Sequence, residues 1–151
     1  MSRLAEAAGV LRRAGIYNAA QEARWLLRHV APSDMEPAAP EVIERFRGLV
    51  QRRAAHAPLQ YLLGSAFFLG LEFEVTPATL IPRPETELLV EEAARRLGTA
   101  PCRVLDLGTG SGCVAIGLTH LLPACRMVAV EQSVEALQVA RRNGRDRKSV
   151  V

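Results

Sequence analysis

The sequence predicts an α/β protein in which a small N-terminal helical bundle and a β-hairpin linker precede the start of a Rossmann-like domain. Apolar residues recur at helical spacing over the first 56 residues. Aromatic and apolar runs then flank a glycine at position 70, and a short apolar strand enters a glycine-rich turn at residues 108–112. A chain of 151 residues, 49% of them hydrophobic, can form one ordinary domain or two small ones.

Three amphipathic segments make up the predicted bundle. The first ends at Gly15, and the second begins after Asn18, a candidate N-cap. The third follows a proline-rich break at residues 31–40, with Pro40 at its start, where the fixed φ of proline is tolerated. We expect the apolar stripes of these helices to pack against one another in a domain that covers residues 1–57.

A β-hairpin is predicted next, with its turn at Gly70. We assign residues 58–83 to the hairpin and linker. Pro82 and Pro84 then force an extended approach to the next helix. The inner face of that helix is expected to contain Leu88, Leu89, Ala93 and Leu97.

The most informative stretch is the turn D-L-G-T-G-S-G. Asp106 stands at the end of a strand, three glycines alternate with other residues, and a helical pattern opens at Cys113. Glycines let the backbone adopt positive φ and approach a ligand closely. A dinucleotide fingerprint needs a glycine at position 113, so that a pyrophosphate can lie on the helix N-terminus. The spacing therefore favours S-adenosylmethionine over NAD or FAD.

Two acids flank this turn in the sequence. We expect Asp106 to meet the cationic methionine end of the cofactor, directly or through water. A second strand at residues 126–130 is followed by Glu131, about 20 residues past the turn, where an acid suits hydrogen bonds to ribose hydroxyls. The predicted cofactor-binding residues are Asp106, Gly108, Thr109, Gly110, Ser111, Gly112 and Glu131.

The remaining residues with reactive side chains form no recognisable site. Three cysteines without a C-x-x-C pair and three scattered histidines favour neither a disulfide framework, nor a zinc site, nor a catalytic triad. We expect no metal and interpret all six as packing or surface residues: Cys102, Cys113, Cys125, His29, His56 and His120.

Trp25 is expected to have a packing role, with a recognition anchor as the alternative.

Charge and targeting signals are weak. The net charge is +3, and the basic residues between Arg141 and Lys148 are interpreted as a solvated helix end rather than an RNA-binding surface. No apolar run approaches the roughly 18 residues of a membrane-spanning helix. The N-terminus lacks the apolar core of a secretory signal, so we expect a cytoplasmic protein.

The stretch L-I-P-R-P-E-T-E at residues 80–87 resembles the inter-domain signature of one family. That family is the bacterial release-factor glutamine methyltransferases, known as PrmC or HemK. The segments 58–64 and 70–75 are similar to its hairpin linker, and the D-L-G-T-G-S-G turn is similar to its cofactor loop. Residues 19–30 look like its N-terminal helical domain, and the resemblance continues to about Asn143.

The resemblance implies a class I S-adenosylmethionine-dependent methyltransferase domain at residues 84–151. The family methylates the side-chain amide of glutamine in the Gly-Gly-Gln motif of class 1 peptide-chain release factors. By this resemblance, the turn from Gly108 to Gly112 lines the cofactor path, and Glu131, where the family usually has Asp, holds the ribose. The bundle would dock the release factor. We expect a monomer, with no direct nucleic-acid partner and no membrane.

The sequence also departs from the family. It contains no Asn-Pro-Pro-Tyr, the loop that orients the target amide in the family, and no residues for the later strands. We therefore expect an N-terminal fragment, with a truncated domain, no catalytic residue, no activity of its own, and an exposed apolar face on its two strands. The last six residues, 146–151, depart from the family, and we expect them to be read-through into adapter sequence rather than natural protein.

Three alternatives remain open from the sequence. A ribosomal-protein glutamine methyltransferase would share most of these motifs. A nucleotide-dependent oxidoreductase would use the same strand, turn and helix, although position 113 is not glycine. A non-catalytic module that binds release factors through its bundle would need no further residues.

Overall fold

The computed structural model describes residues 2–31 and 39–145, which fall into two compact units that divide between Leu63 and Gly64. The domain boundaries predicted from the sequence, after residues 57 and 83, remain predictions. The expectations for the proline-rich residues 32–38 and for residues 146–151 lie outside the described residues.

The first unit is helical. Its first helix begins where the Ser2 side chain accepts a hydrogen bond from the Ala5 N–H at 3.3 Å, a common N-cap arrangement. Pro40 is the first residue of the third helix, as predicted. Asn18 precedes the second helix, but its side chain makes no capping hydrogen bond. The helices are α1 (Arg3–Arg13), α2 (Ala19–Val30), α3 (Pro40–Ala54) and α4 (Leu59–Leu63).

The core of this unit is formed by the predicted stripes, among them Leu11, Leu26 and Phe46. The expectation that Trp25 is a packing residue is wrong, because 42% of its surface is exposed. The buried residues of α2 are Ala19, Glu22, Ala23 and Leu26, so position 25 lies on another side of the helix.

The second unit begins with the predicted hairpin. Strands β1 (Ser65–Phe68) and β2 (Leu71–Glu74) pair antiparallel around the turn Leu69-Gly70. Both turn residues have positive φ, 50° and 72°, as a two-residue hairpin loop requires. Phe68 and Phe73 pack edge to face beneath the hairpin, with ring centroids 6.0 Å apart.

The helix that follows is α5 (Pro84–Leu97), with Pro84 as its first residue. The inner face predicted for it is largely wrong, because Leu88 and Leu89 are 67% and 62% exposed. The buried residue is Val90, and Ala93 lies beside the core as predicted. The Glu87 carboxylate accepts the Leu69 N–H at 2.7 Å, and this contact with the hairpin turn orients the helix with positions 87 and 90 inward.

A β-α-β arrangement completes the unit and bears out the Rossmann-like start. Strands β3 (Cys102–Leu107) and β4 (Cys125–Val130) pair in parallel, and α6 (Cys113–Leu121) connects them. Helix α7 (Val134–Arg145) follows β4. The core lies between one sheet face and the helices, and includes Ile116, Leu118 and Met127. As expected, the other sheet face is exposed and carries Leu105, Leu107, Val128 and Val130.

In the described part of the chain, none of the helices combines the length and apolar character needed to cross a bilayer.

Candidate functional site

The parallel register brings the carboxyl ends of β3 and β4 together. Leu107 lies opposite Val130, so the turn that begins at Gly108 emerges beside the end of β4. The Gly108 and Thr109 N–H groups both donate to the Val130 carbonyl, at 2.7 and 3.1 Å. This edge of a parallel sheet is where α/β proteins bind their ligands.

The alternating glycines of the turn all have positive φ: 76° at Gly108, 56° at Gly110 and 83° at Gly112. A Cβ atom at Gly108 or Gly110 would meet no atom within 4 Å, so the backbone there borders open space. At Gly112 a Cβ would lie 3.2 Å from Ile116 Cδ1. The first two glycines thus leave room for a ligand, whereas Gly112 lets the turn pack against its own helix.

Asp106 is tied to the turn by one of its two carboxylate oxygens. The Thr109 hydroxyl donates to Asp106 Oδ2 at 2.7 Å, and Thr109 itself is buried. This hydrogen bond holds the carboxylate at the end of β3, against the turn. The carboxylate is therefore oriented before any ligand arrives.

Glu131 closes the site from the end of β4. Its Oε2 accepts the Gly110 N–H at 2.9 Å, and its Oε1 accepts the Gln132 and Ser133 N–H groups at 2.8 and 3.0 Å. Hydrogen bonds from Ser133 and Gly110 hold the pKa of the Glu131 carboxyl below its usual value. Glu131 therefore carries a negative charge at neutral pH.

Ser111 is buried, and its carbonyl accepts a hydrogen bond of 2.8 Å from the Asn143 side chain on α7. The sequence interpretation did not identify Asn143. A signal was present, because Asn143 continues the buried stripe formed by Ala136, Val139 and Ala140 at helical spacing. An asparagine at such a position is buried only with hydrogen-bond partners.

Cys113 and Cys125 do not contribute a thiolate nucleophile to the site. Burial raises the pKa of the Cys113 thiol, and burial together with Cys102 raises the pKa of Cys125 to about 11. Both are therefore thiols at neutral pH. The histidines at positions 29, 56 and 120 are exposed, as expected for surface residues. No group of three or more potential metal ligands occurs among the residues that the structure describes.

The basic residues near the end of α7, interpreted from the sequence as a solvated helix end, are partly engaged within the chain. Arg142 donates two hydrogen bonds to the Glu74 carboxylate, at 2.8 and 2.7 Å, so this guanidinium is paired with the hairpin. The more distal Arg147 and Lys148 lie outside the described residues.

The structure thus brings all seven predicted site residues to one turn between two parallel strands. Two carboxylates, Asp106 and Glu131, accept hydrogen bonds from this turn. Their charges would repel a pyrophosphate and attract a cation. The arrangement suits a ligand that combines positive charge with hydroxyl groups.

Comparison with known proteins defines the class. Residues 84–150 match the family model described as the methyltransferase small domain, and residues 3–64 match the model of the PrmC N-terminal domain. The fold, the glycine turn and these matches together place the chain in the class of methyltransferases that have an N-terminal helical unit.

Individual relatives are more specific. The release factor glutamine methyltransferase of Geobacter sulfurreducens is 47% identical over 143 residues, which cover 89% of this chain and 50% of the relative. The proteins of that name from Burkholderia pseudomallei and Escherichia coli are 51% and 45% identical, over 73% and 68% of this chain. The chain belongs to the release factor glutamine methyltransferase family, and the resemblance found in its sequence is confirmed.

The chain is shorter than these relatives. It spans 50% of the Geobacter protein, 39% of the Burkholderia protein and 37% of the Escherichia protein. The matched residues include the helical unit and the glycine turn.

Proposed function

We propose that this chain binds S-adenosylmethionine at the turn of residues 108–112. The observation that carries the proposal is the pair of carboxylates, Asp106 and Glu131, held by hydrogen bonds to a turn whose first two glycines border open space. The sulfonium and ammonium groups of the cofactor are cations, and its ribose supplies hydroxyl donors. When bound, S-adenosylmethionine supplies an electrophilic methyl group.

Each acid has a separate part in the proposal. Asp106 has one oxygen on Thr109, which leaves its Oδ1 for the ammonium group or for a water molecule. Glu131 accepts three N–H groups, and an ionised carboxylate has about four acceptor sites. One of those N–H contacts therefore gives way when both ribose hydroxyls bind. The Gly110 backbone borders open space, and its contact is the one we expect to change.

We further propose that the cofactor serves methylation of the glutamine side chain in the Gly-Gly-Gln motif of class 1 release factors. The names of the relatives support release factors rather than ribosomal proteins as the substrate. An amide nitrogen is a poor nucleophile, because its lone pair is delocalised into the carbonyl, and it must be positioned in line with the methyl group. Asn-Pro-Pro-Tyr, which does this in the family, is absent from the sequence, so the chain by itself is expected to bind without transferring the methyl.

The cofactor proposal is tested by calorimetric titration of the chain with S-adenosylmethionine and, separately, with NAD. We expect binding of the first alone. Asp106→Asn and Glu131→Gln should each weaken binding about tenfold or more, because each removes a charge next to a cation or a ribose. Glu91→Gln, an exposed position on α5, is the matched control. Tighter binding of NAD, or equal binding by all variants, would overturn the proposal.

The helical unit is proposed to contact the release factor. The protein is proposed to act as a monomer that binds one release factor molecule. Two exposed aromatic side chains support the contact, Tyr17 in the α1–α2 loop and Trp25 on α2. Exposed aromatics are typical anchors of protein interfaces. Titration of the chain with a class 1 release factor should show saturable binding that Trp25→Ala weakens and Phe67→Ala, an exposed hairpin position, does not.

A further inference from the structure

The Asn143 side chain makes hydrogen bonds to both the hairpin and the glycine turn. Its Oδ1 accepts the Glu74 N–H at 2.7 Å, and its Nδ2 donates to the Glu74 carbonyl at 3.0 Å. The second hydrogen of Nδ2 goes to the Ser111 carbonyl at 2.8 Å. The side chain is 7% exposed, and both of its donors are used.

The contact with Glu74 has the form of a strand pairing. A side-chain amide that both accepts from and donates to one residue's backbone replaces the neighbouring peptide of a β-ladder. Asn143 therefore holds β2 by its backbone, whereas its neighbour Arg142 holds the Glu74 carboxylate. Two adjacent residues of α7 thus reach the same strand residue in different ways.

The contact with Ser111 acts on the turn itself. The peptide that joins Ser111 to Gly112 has its carbonyl on Asn143 and its N–H on the Thr109 carbonyl, at 2.9 Å. That peptide is therefore fixed at both ends. It is joined directly to Gly112, a residue with positive φ whose backbone freedom would otherwise let the peptide rotate.

We infer that Asn143 is a positioning residue that fixes the Ser111–Gly112 peptide of the cofactor turn and couples the turn to the β-hairpin. The expected effect of Asn143 on cofactor binding rests on the proposed function, because the turn that it fixes is the one proposed to bind S-adenosylmethionine. The fixed peptide keeps the Gly110 backbone open to the ligand, and the hairpin anchors the residue that fixes it. Asn143 touches no ligand in this scheme and acts through Ser111.

The test compares two substitutions that alter different halves of the arrangement. In Asn143→Asp the carboxylate still accepts the Glu74 N–H, but at neutral pH it has no proton for the Ser111 carbonyl or for the Glu74 carbonyl. In Arg142→Ala the bond to the Glu74 carboxylate is lost, and the contact with Ser111 stays. Asn143→Ala, which removes all three hydrogen bonds, is the second variant if Asn143→Asp does not fold.

The first measurement is residue-resolved hydrogen exchange of the full chain without ligand. We expect the Gly112 amide to exchange about tenfold faster in Asn143→Asp, while the Glu74 amide changes by less than about twofold. Arg142→Ala should leave the Gly112 amide unchanged. In Asn143→Ala both amides should exchange faster. Unchanged exchange of the Gly112 amide in both Asn143 variants would overturn the inference. Equal acceleration of the Gly112 and Glu74 amides in Asn143→Asp would also overturn it, because that result would show a general loss of stability in this unit.

The second measurement is the dissociation constant for S-adenosylmethionine. We expect about a tenfold increase in Asn143→Asp and no change in Arg142→Ala. Equal affinity in all three proteins would overturn the inference. If the unsubstituted chain binds no S-adenosylmethionine, the proposed function fails, and the exchange of the Gly112 amide still decides whether Asn143 positions the turn.

Discussion

The Gly110 amide and the Glu131 carboxylate are joined by a hydrogen bond of 2.9 Å across the mouth of the glycine turn. The acid that ends β4 is thus part of the turn's own structure and also faces the space proposed for a ribose. A glutamate reaches this amide while its other oxygen accepts from Gln132 and Ser133. The longer acid, where the family usually has Asp, therefore has a structural use in this chain.

The first prediction concerns the pH dependence of stability through Glu131. Its pKa is lowered in the folded chain by the N–H groups of Ser133 and Gly110, so ionised Glu131 stabilises the folded state. This contribution is complete above the unfolded pKa of about 4.3 and is lost as the pH falls through the lower folded value. The urea midpoint of Glu131→Gln should therefore lie below that of the unsubstituted chain at pH 7, and the difference should shrink below about pH 4.

Glu91→Gln is the control for this series, since it removes one carboxylate from an exposed position of α5. In Glu91→Gln the change in urea midpoint between pH 7 and pH 4 should be the same as in the unsubstituted chain. A Glu131→Gln chain that is as stable as the unsubstituted chain at pH 7 would contradict the prediction.

The second prediction separates two reasons for glycine in the turn. Gly108→Ala should cost about 1–2 kcal/mol, because alanine is strained at a φ of 76° but meets no other atom. Gly112→Ala should cost about 2–4 kcal/mol, because its Cβ would also crowd Ile116 and Ala140. Urea unfolding followed by far-UV circular dichroism measures both, and equal costs would show that packing at Gly112 adds nothing.

The hairpin and the glycine turn could be predicted from the sequence because their determinants are local. A glycine between β-forming residues specifies a tight turn, and a strand followed by alternating glycines specifies the start of a Rossmann-like unit. The parallel pairing that brings Glu131 to Gly110 followed from the order of strand, helix and strand. The seven predicted residues therefore meet at one place.

What the sequence did not reveal depends on contacts between distant residues. The buried face of α5 is set by Glu87 on the Leu69 amide, 18 residues away, and periodicity alone placed Leu88 and Leu89 inside. Asn143 reaches Ser111 and Glu74 across 32 and 69 residues. Such pairings require the assembled fold, although an asparagine on an apolar stripe marks the position.

The third prediction compares two helical glycines. Gly48 lies inside α3, and a Cβ there would meet no atom within 4 Å, so Gly48→Ala should stabilise the chain by about 0.5–1 kcal/mol. Gly117 lies inside α6, where a Cβ would come within 2.9 Å of Leu69 and 3.2 Å of Phe68. Gly117→Ala should lose that gain and destabilise by up to about 2 kcal/mol. Thermal unfolding of both variants provides the comparison. Equal stabilisation would mean that the Leu69 and Phe68 side chains move aside at no cost in free energy.

The fourth prediction concerns the ion pair between Glu22 on α2 and Arg53 on α3. The side chains are 12% and 16% exposed, and the Arg53 guanidinium also donates to the Ala57 carbonyl at 3.2 Å. Removing one partner leaves the other charge largely buried, so Glu22→Gln should destabilise the chain by about 2–3 kcal/mol. The exposed pair of Glu44 with Arg47 is the matched control, and Glu44→Gln should cost less than about 0.5 kcal/mol.

A double variant separates the pairing of Glu22 with Arg53 from the burial of either group. Replacing both by apolar residues, as in Glu22→Leu with Arg53→Met, should recover most of the stability lost in Glu22→Gln, because no charge is then buried without a partner. If the double variant is no more stable than Glu22→Gln, the two side chains stabilise the packing of α2 on α3 by more than the cancellation of two buried charges. In that case the contact of Arg53 with the Ala57 carbonyl, in the segment that follows α3, is the part that an apolar pair cannot replace.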